Sequence, residues 1–146
     1  MSLYRTALLG LLMGLMSQLA MADVAVVYKS PTCQCCSRWM EHMKASGFEL
    51  SAENVASAEL NRIKSVHGLK REQASCHTAI IQGYVIEGHV PAGDVKRLLE
   101  EKPDAIGLTV PGMPVGSPGM EMGDERDSFQ VLLIRKDGST EVWASY

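Results

Sequence analysis

The sequence predicts an α/β protein with a central mixed β-sheet, flanking helices and a C-terminal β-hairpin. Short runs rich in β-branched residues alternate with segments of helical periodicity along the chain. The last two apolar runs are joined by Asp137-Gly138, a pair that is typical of hairpin turns. No internal repeat or second domain is evident in the 146 residues, so a single folded domain accounts for the chain.

The first 22 residues have the three parts of a secretory signal peptide. Arg5 is the early positive charge, residues 7–19 are apolar, and the tripeptide Ala-Met-Ala at 20–22 has the small-x-small pattern of a cleavage site. The alternative is a membrane anchor, but the apolar stretch is short for the roughly 20 residues of a transmembrane helix. We therefore expect a signal peptide at 1–22, a single domain at 23–146, and no stable membrane insertion after cleavage.

The first half of the mature chain predicts two strands and two helices. Residues 24–28 form an apolar run rich in β-branched residues and residues 48–54 alternate in part, so each predicts a strand. Between them, the segment after the cysteines predicts a helix that ends at Gly47. Ser57 is a plausible N-cap for a second helix, which Gly68 closes. The side chains expected to face inward from these two helices are Cys36, Trp39, Met40, Met43, Leu60, Ile63 and Val66.

The second half predicts four further strands, one helix and one long loop. The predicted elements are strands at 78–81 and 84–86, a helix between Pro91 and Pro103 with Val95, Leu98 and Leu99 inward, and strands at 129–135 and 139–143. The first two of these strands surround a turn at Gln82-Gly83. Residues 111–123 contain three Pro and four Gly, which exclude regular structure, yet this segment is too apolar for a solvated linker.

The predicted order is β-α-β-α-β-β-α, followed by a loop and a hairpin. Up to the last helix this is the order of the thioredoxin fold. Cys33 and Cys36 have the Cys-x-x-Cys spacing just after the first strand, which is the position of dithiol chemistry in thioredoxin-like proteins. We therefore expect a thioredoxin-like fold.

The four cysteines are Cys33, Cys35, Cys36 and Cys76. Export favours disulfides, but a bridge between the adjacent Cys35 and Cys36 would be strained, because bridged Cα atoms prefer a separation of roughly 5.5 Å. The spacing therefore favours a redox pair or a metal cluster over two stapling disulfides. At a helix N-terminus, the helix dipole and unpaired N–H groups favour the thiolate, which both attacks disulfides and binds metals.

Cys35 distinguishes these two hypotheses. A disulfide oxidoreductase needs one attacking and one resolving thiol, and a third thiol between them would compete for every mixed disulfide. A metal site gains from the third thiolate, since soft thiolates can bridge several Cu(I) ions or hold one Zn²⁺. Cys76 immediately precedes the segment of the third strand, where a thioredoxin-like fold would bring it opposite the other three; the alternative is a buried structural cysteine.

Methionine and histidine residues are candidates to complete such a site. Met113, Met120 and Met122 in the irregular loop offer thioethers, which suit Cu(I), although they can equally pack the loop onto the core. His77 neighbours Cys76 and is a further candidate ligand, although neighbours on a strand point to opposite faces. The remaining histidines are assigned other positions: His42 one or two helical turns beyond the cysteines, His67 in solvent at a helix end, and His89 in a structural role before the third helix.

Three blocks of the sequence resemble a known family. They are YKSPTCQCC at 28–36, EGHVPA at 87–92 and PGMPVGSPGME at 111–121. They are similar to an exported metal-binding family of unknown function that includes the copper-resistance protein CopG, and the resemblance covers essentially the whole mature chain. It implies a thioredoxin-like fold in the periplasm and a cysteine-bridged copper site, with the Cys-x-Cys-Cys motif carried over to residues 33–36 and the further cysteine to Cys76.

The sequence thus leads to one main hypothesis and two rivals. The main hypothesis is a periplasmic protein of copper resistance or homeostasis that binds several Cu(I) ions and cycles between Cu(I) and Cu(II), with other exported copper-handling proteins as partners. Its predicted ligands are Cys33, Cys35, Cys36, Cys76, Met113, Met120 and His77. The first rival is a thiol–disulfide oxidoreductase that uses Cys33 and Cys36, and the second is a structural site for zinc, which is the less favoured metal. The net charge of −3 argues against nucleic acid as a partner.

Overall fold

The computed structural model describes residues 24–146, which contain seven strands and three α-helices. The strands are β1 Ala25–Lys29, β2 Leu50–Asn54, β3 Thr78–Ile81, β4 Tyr84–Glu87, β5 Ala105–Thr109, β6 Gln130–Arg135 and β7 Thr140–Ser145. The helices are α1 Gln34–Ala45, α2 Ser57–Val66 and α3 Ala92–Glu101, with a short 3₁₀ helix at Arg71–Gln73. The predicted signal peptide lies outside the described residues. Among residues 24–146, no helix is long and apolar enough to cross a membrane.

All seven strands form one mixed sheet in the order β2-β1-β3-β4-β5-β6-β7. The pairs β1–β2 and β4–β5 are parallel, and the other neighbouring pairs are antiparallel. The prediction of an α/β protein with a central mixed sheet and a C-terminal hairpin, β6–β7, is confirmed. The predicted thioredoxin order is extended by one strand, because β5 continues the sheet after α3.

Strand β5 was not predicted, and Gly107 explains why. A Cβ on Gly107 would lie 1.8 Å from the carbonyl oxygen of Val85 on β4, so only glycine fits this close approach of two strands. The pairing of β5 with β6 also shifts register between Ala105 and Gly107. A glycine within a five-residue run weakens the apolar alternation that would otherwise indicate a strand.

The main core lies between the sheet and helices α1 and α3. The predicted inward face of α1 is confirmed, since Cys36, Trp39, Met40 and Met43 are all buried. From α3, Val95 and Leu98 are buried and Leu99 packs against the same cluster. A second, smaller cluster contains Leu69, Val85 and Ile134. Because Val85 alternates with the buried Ile86 of the main core, the two clusters occupy opposite faces of the sheet.

Helix α2 differs from the prediction at one position. Leu60 and Ile63 are buried as expected, but Val66 is 68% exposed. Val66 follows Leu60 by six residues, which places it about 240° around the helix and away from the sheet. Lys64 is buried on the inward face instead.

The turn between β3 and β4 sets the register of the central hairpin. Gln82 and Gly83 both have positive φ, 48° and 85°, as in the two-residue turns that match the twist of paired strands. The resulting register pairs Ile81 with Tyr84 and Thr78 with Glu87. Extension of that register by two residues places Cys76 opposite His89, just beyond the ends of β3 and β4.

Candidate metal centre

The four cysteines converge where β1 ends and β3 begins. Cys33 is the N-cap of α1, and Cys35 and Cys36 lie in the first turn of that helix. Cys76 approaches from the segment that precedes β3. One ligand atom from each of Cys33, Cys35, Cys36 and Cys76 lies within 4.8 Å of the others, so the predicted four-cysteine cluster exists as a spatial group.

Two of these sulfurs are joined and two are free. Cys33 and Cys36 form a disulfide, while Cys35 and Cys76 are free thiols. Cys35 Sγ lies 3.4 Å from Cys33 Sγ and 3.9 Å from Cys76 Sγ, so the Cys35 sulfur contacts both the disulfide and the fourth cysteine. Four thiolate ligands are therefore available after a two-electron reduction of the Cys33–Cys36 disulfide.

Cys76 also contacts two imidazoles. Its Sγ lies 3.4 Å from His77 Nδ1 and 3.0 Å from His89 Nε2. The His77 ring therefore lies on the same side as the Cys76 sulfur, and His77 stays a predicted ligand. His89, for which we expected a structural role before α3, has a fully buried ring that also contacts the Cys76 sulfur. The hairpin register was the signal that could have revealed it, because a two-residue turn at Gln82-Gly83 aligns residue 76 with residue 89.

His42 and His67 lie outside this group. His42 Nε2 accepts a hydrogen bond from the backbone N–H of Ala92 at 3.0 Å and so satisfies an N–H group at the start of α3. His67 is the C-cap residue of α2 and is partly exposed, close to its predicted position.

Burial determines the protonation of the groups around Cys76. Desolvation raises the pKa of the Cys76 thiol to about 12, with a further contribution from Cys35. Burial also lowers the pKa of His77 well below its ordinary value and lowers the pKa of His89. In the metal-free protein the group therefore consists of a neutral thiol and neutral imidazoles, and metal binding at Cys76 must release a proton.

A buried ion pair holds the segment that carries Cys76 and His77. Lys64 of α2 pairs with Glu87 of β4 and donates to Thr78 Oγ1 at 2.9 Å. The two Glu87 oxygens accept hydrogen bonds from Ser75 N at 2.7 Å and from Thr78 Oγ1 at 2.6 Å. Glu87 therefore holds the residues on both sides of the Cys76-His77 pair.

The irregular loop at 111–123 borders the cluster on two sides through its backbone. The Gly112 carbonyl accepts a hydrogen bond from Ser75 Oγ, and the Pro118 carbonyl lies 2.8 Å from His89 Nδ1. Arg38 Nε donates to the Gly119 carbonyl at 3.0 Å. A Cβ on Gly119 would lie 2.8 Å from the carbonyl oxygen of Cys35, so the loop packs directly on the cysteine turn.

The methionine side chains of the loop are partly or largely exposed. Met113 is 52% exposed and Met122 is 57% exposed, whereas Met120 is half-buried. The hydrogen bonds between the loop and the residues around the cluster involve backbone atoms of the loop. The thioethers of Met113 and Met120 therefore stay predicted ligands.

Comparison with known proteins identifies the family. Residues 73–120 match the profile of a protein family of unknown function, DUF411. Two solved structures of the copper resistance protein copG, Form 1 and Form 2, are similar over 84% of this chain, at 42% and 41% sequence identity and TM-scores of 0.79 and 0.78. The alignments cover 96% and 97% of those two chains. No curated protein matches this chain. From sequence identity and overall fold together, the chain belongs to the DUF411 family that includes the copper resistance protein copG.

Proposed function

We propose that this protein is a periplasmic, thioredoxin-like copper-binding protein that acts in copper resistance. The observation that carries the proposal is the convergence of Cys33, Cys35, Cys36 and Cys76 within 4.8 Å. Thiolates are soft ligands that select Cu(I), and four of them at this spacing can bridge more than one ion. Membership of a family that includes a copper resistance protein supports copper as the metal.

The strand arrangement supports the thioredoxin-like part of the proposal. Strands β2, β1, β3 and β4 are adjacent in that order, with β1 and β2 parallel and the other two contacts antiparallel. The cysteines follow β1 and begin α1, as the dithiol motif does in that fold. The periplasmic location rests on the signal peptide predicted at residues 1–22, and N-terminal sequencing of the exported protein tests it.

The Cys33–Cys36 disulfide supports a redox step in copper handling. Oxidation of the two thiols to the disulfide releases two electrons and two protons, and two Cu(II) ions accept those electrons to become two Cu(I) ions. Cys35 and Cys76 stay as thiols that can hold the Cu(I) formed. Met113, Met120 and His77 are the proposed additional ligands.

The test is the copper content of the fully reduced protein after anaerobic loading with Cu(I). We expect several Cu(I) ions per chain, and we expect Cys76→Ser to lose most of that capacity because it removes the sulfur that faces the α1 cysteines. The matched control is Ser65→Ala at an exposed position of α2, which leaves all four sulfurs in place. Equal stoichiometry in Cys76→Ser and the parent protein would rule out the four-thiolate cluster.

The same disulfide favours a second candidate function, thiol–disulfide exchange by Cys33 and Cys36. In that case Cys35→Ser should retain the reduction of an insulin-type disulfide, because the attacking and resolving thiols are both kept. Loss of copper binding in Cys35→Ser, with no disulfide turnover in the parent protein, would exclude this alternative.

A further inference from the structure

Cys76 belongs to a second donor group that is distinct in chemistry from the four cysteines. One ligand atom from each of Cys76, His77 and His89 lies within 4.8 Å of the others. Both imidazole rings are fully buried. The two groups share the Cys76 sulfur alone, and the second group offers nitrogen in place of the three sulfurs of the α1 turn.

The hydrogen bonding of His89 orients its free nitrogen toward Cys76. Nδ1 lies 2.8 Å from the carbonyl oxygen of Pro118, which can only accept, so Nδ1 carries the proton. Nε2 therefore presents its lone pair at 3.0 Å from Cys76 Sγ. Metal-binding histidines are commonly held in this way, with the second ring N–H donated to a backbone carbonyl.

His77 has a buried nitrogen without a partner. Its Nε2 makes no hydrogen bond among the described residues, although the ring is fully buried beside Trp39 at a centroid distance of 4.4 Å. The other ring nitrogen, Nδ1, makes a polar contact with Cys76 Sγ at 3.4 Å. The direction of Nδ1 toward the Cys76 sulfur is the observation that makes His77 a candidate ligand.

Two sulfur–nitrogen distances in the group are close to those around a single ion. In a tetrahedral zinc site with Zn–S near 2.3 Å and Zn–N near 2.0 Å, a sulfur and a nitrogen ligand lie about 3.5 Å apart. The two sulfur–nitrogen distances at Cys76 are 3.0 Å and 3.4 Å. An outward movement of the His89 ring by about 0.5 Å would therefore admit one cation.

We propose that Cys76, His77 and His89 form a mixed thiolate–imidazole site for one thiophilic d¹⁰ cation, Cu(I) or Zn²⁺, and that this site persists when Cys33 and Cys36 are a disulfide. Cys76, His77 and His89 are the three ligands that this group offers the ion. The inference rests on the proposed function for the role of Cys76 as a ligand. It adds His89 to the metal centre and assigns a metal position to the oxidised protein.

The first test uses a background in which the four-thiolate cluster cannot form. The double variant Cys33→Ser/Cys36→Ser keeps Cys35, Cys76 and both imidazoles, and we expect it to bind one Zn²⁺ or one Cu(I) per chain in separate titrations against a competing chelator. Addition of His89→Ala should weaken that binding at least tenfold. Addition of His67→Ala, which alters a partly exposed histidine at the end of α2, should leave it unchanged. Equal affinities in these two triple variants, or no binding by the double variant, would overturn the proposal.

A second measurement needs no substitution at the buried ring. Oxidised full-length protein labelled with ¹⁵N-histidine is titrated with Zn²⁺ and observed by NMR. The His89 Nε2 resonance should move to the metal-bound range while Nδ1 stays protonated, and unchanged His89 nitrogens would contradict the site. The two proposals can fail separately: copper stoichiometry of the reduced parent protein tests the four-thiolate cluster, whereas the histidine signals of the oxidised protein test the mixed site.

Discussion

Two segments bring sulfur to the candidate centre, and they are held in place by different physical means. The turn at Cys33–Cys36 is local: three cysteines lie within four residues at the start of α1, and loop backbone at Gly119 packs on them. The Cys76-His77 segment supplies one sulfur and is held by residues distant in sequence. Lys64 and Glu87 bind the residues that flank the segment, and His89 contacts Cys76 across the hairpin.

The comparison shows that the two halves of the centre depend on different parts of the molecule. The cysteine turn derives its ligand density from sequence spacing, and the disulfide can form inside it without help from other elements. The Cys76 side depends on three separate elements: α2 supplies Lys64, β4 supplies Glu87, and the pairing of β3 with β4 brings His89 to Cys76. Substitutions that affect one half and spare the other can therefore test each of these supports in turn.

The largest effect is expected from Glu87→Ala. It removes the acceptor for Ser75 N and Thr78 Oγ1 and leaves the Lys64 ammonium buried without an anion. Loss of one partner of a buried ion pair costs about 3–5 kcal/mol, so urea denaturation of the metal-free protein should show a much lower free energy of unfolding. The matched control is Glu59→Ala on the exposed face of α2, where the partner Arg62 is in solvent and no change in midpoint is expected. Similar losses in both variants would refute the supporting role of the buried pair.

An intermediate effect is expected from Gly119→Ala at the cysteine turn. Gly119 has φ of +88°, and its Cβ would lie 2.7 Å from Trp39 N and 2.8 Å from the Cys35 carbonyl oxygen. The loop must move away from α1, at a cost of about 1–3 kcal/mol in the free energy of unfolding, measured by thermal or urea denaturation. Gly123→Ala is the control, because Gly123 also has positive φ but open space around its Cβ. If both variants lose the same stability, backbone strain rather than contact with the cysteine turn is responsible.

The smallest effect is expected from mild acid, and it acts through the imidazoles on the Cys76 side. Burial holds the pKa values of His77 and His89 below the ordinary 6.5, so the unfolded chain takes up protons that the folded chain does not. Their contribution to stability is complete above pH 6.5 and is lost as pH falls below it toward the folded pKa values. Urea midpoints of the metal-free protein should therefore decline between about pH 7 and about pH 5.

The matched variant for the acid effect is His89→Gln, which removes one titrating ring and keeps a polar side chain. Its decline in urea midpoint over the same pH range should be shallower than that of the parent protein. An identical pH profile would show that protonation of His89 does not contribute to acid destabilisation.

Much of the fold was accessible from local patterns. The inward face of α1 and the Gln82-Gly83 turn were predicted correctly, because helical periodicity and turn chemistry act over a few residues. Strand β5 was not predicted because its central residue is a glycine. The close approach of Gly107 to Val85, 22 positions earlier in the chain, requires that glycine and is not visible in the local sequence. Val66 was misassigned because three apolar residues on a helix do not by themselves define which one faces the sheet.

The candidate centre divides in the same way. The three sulfurs of the α1 turn were predictable from the sequence, because three cysteines within four residues lie close together whatever the rest of the chain does. The surroundings of Cys76 depend on tertiary packing: the hairpin register brings His89 to the sulfur, and the Lys64–Glu87 ion pair holds the segment that carries Cys76. The physical reason is that ligand identity is a property of residues, whereas burial, orientation and charge pairing arise when distant elements pack together.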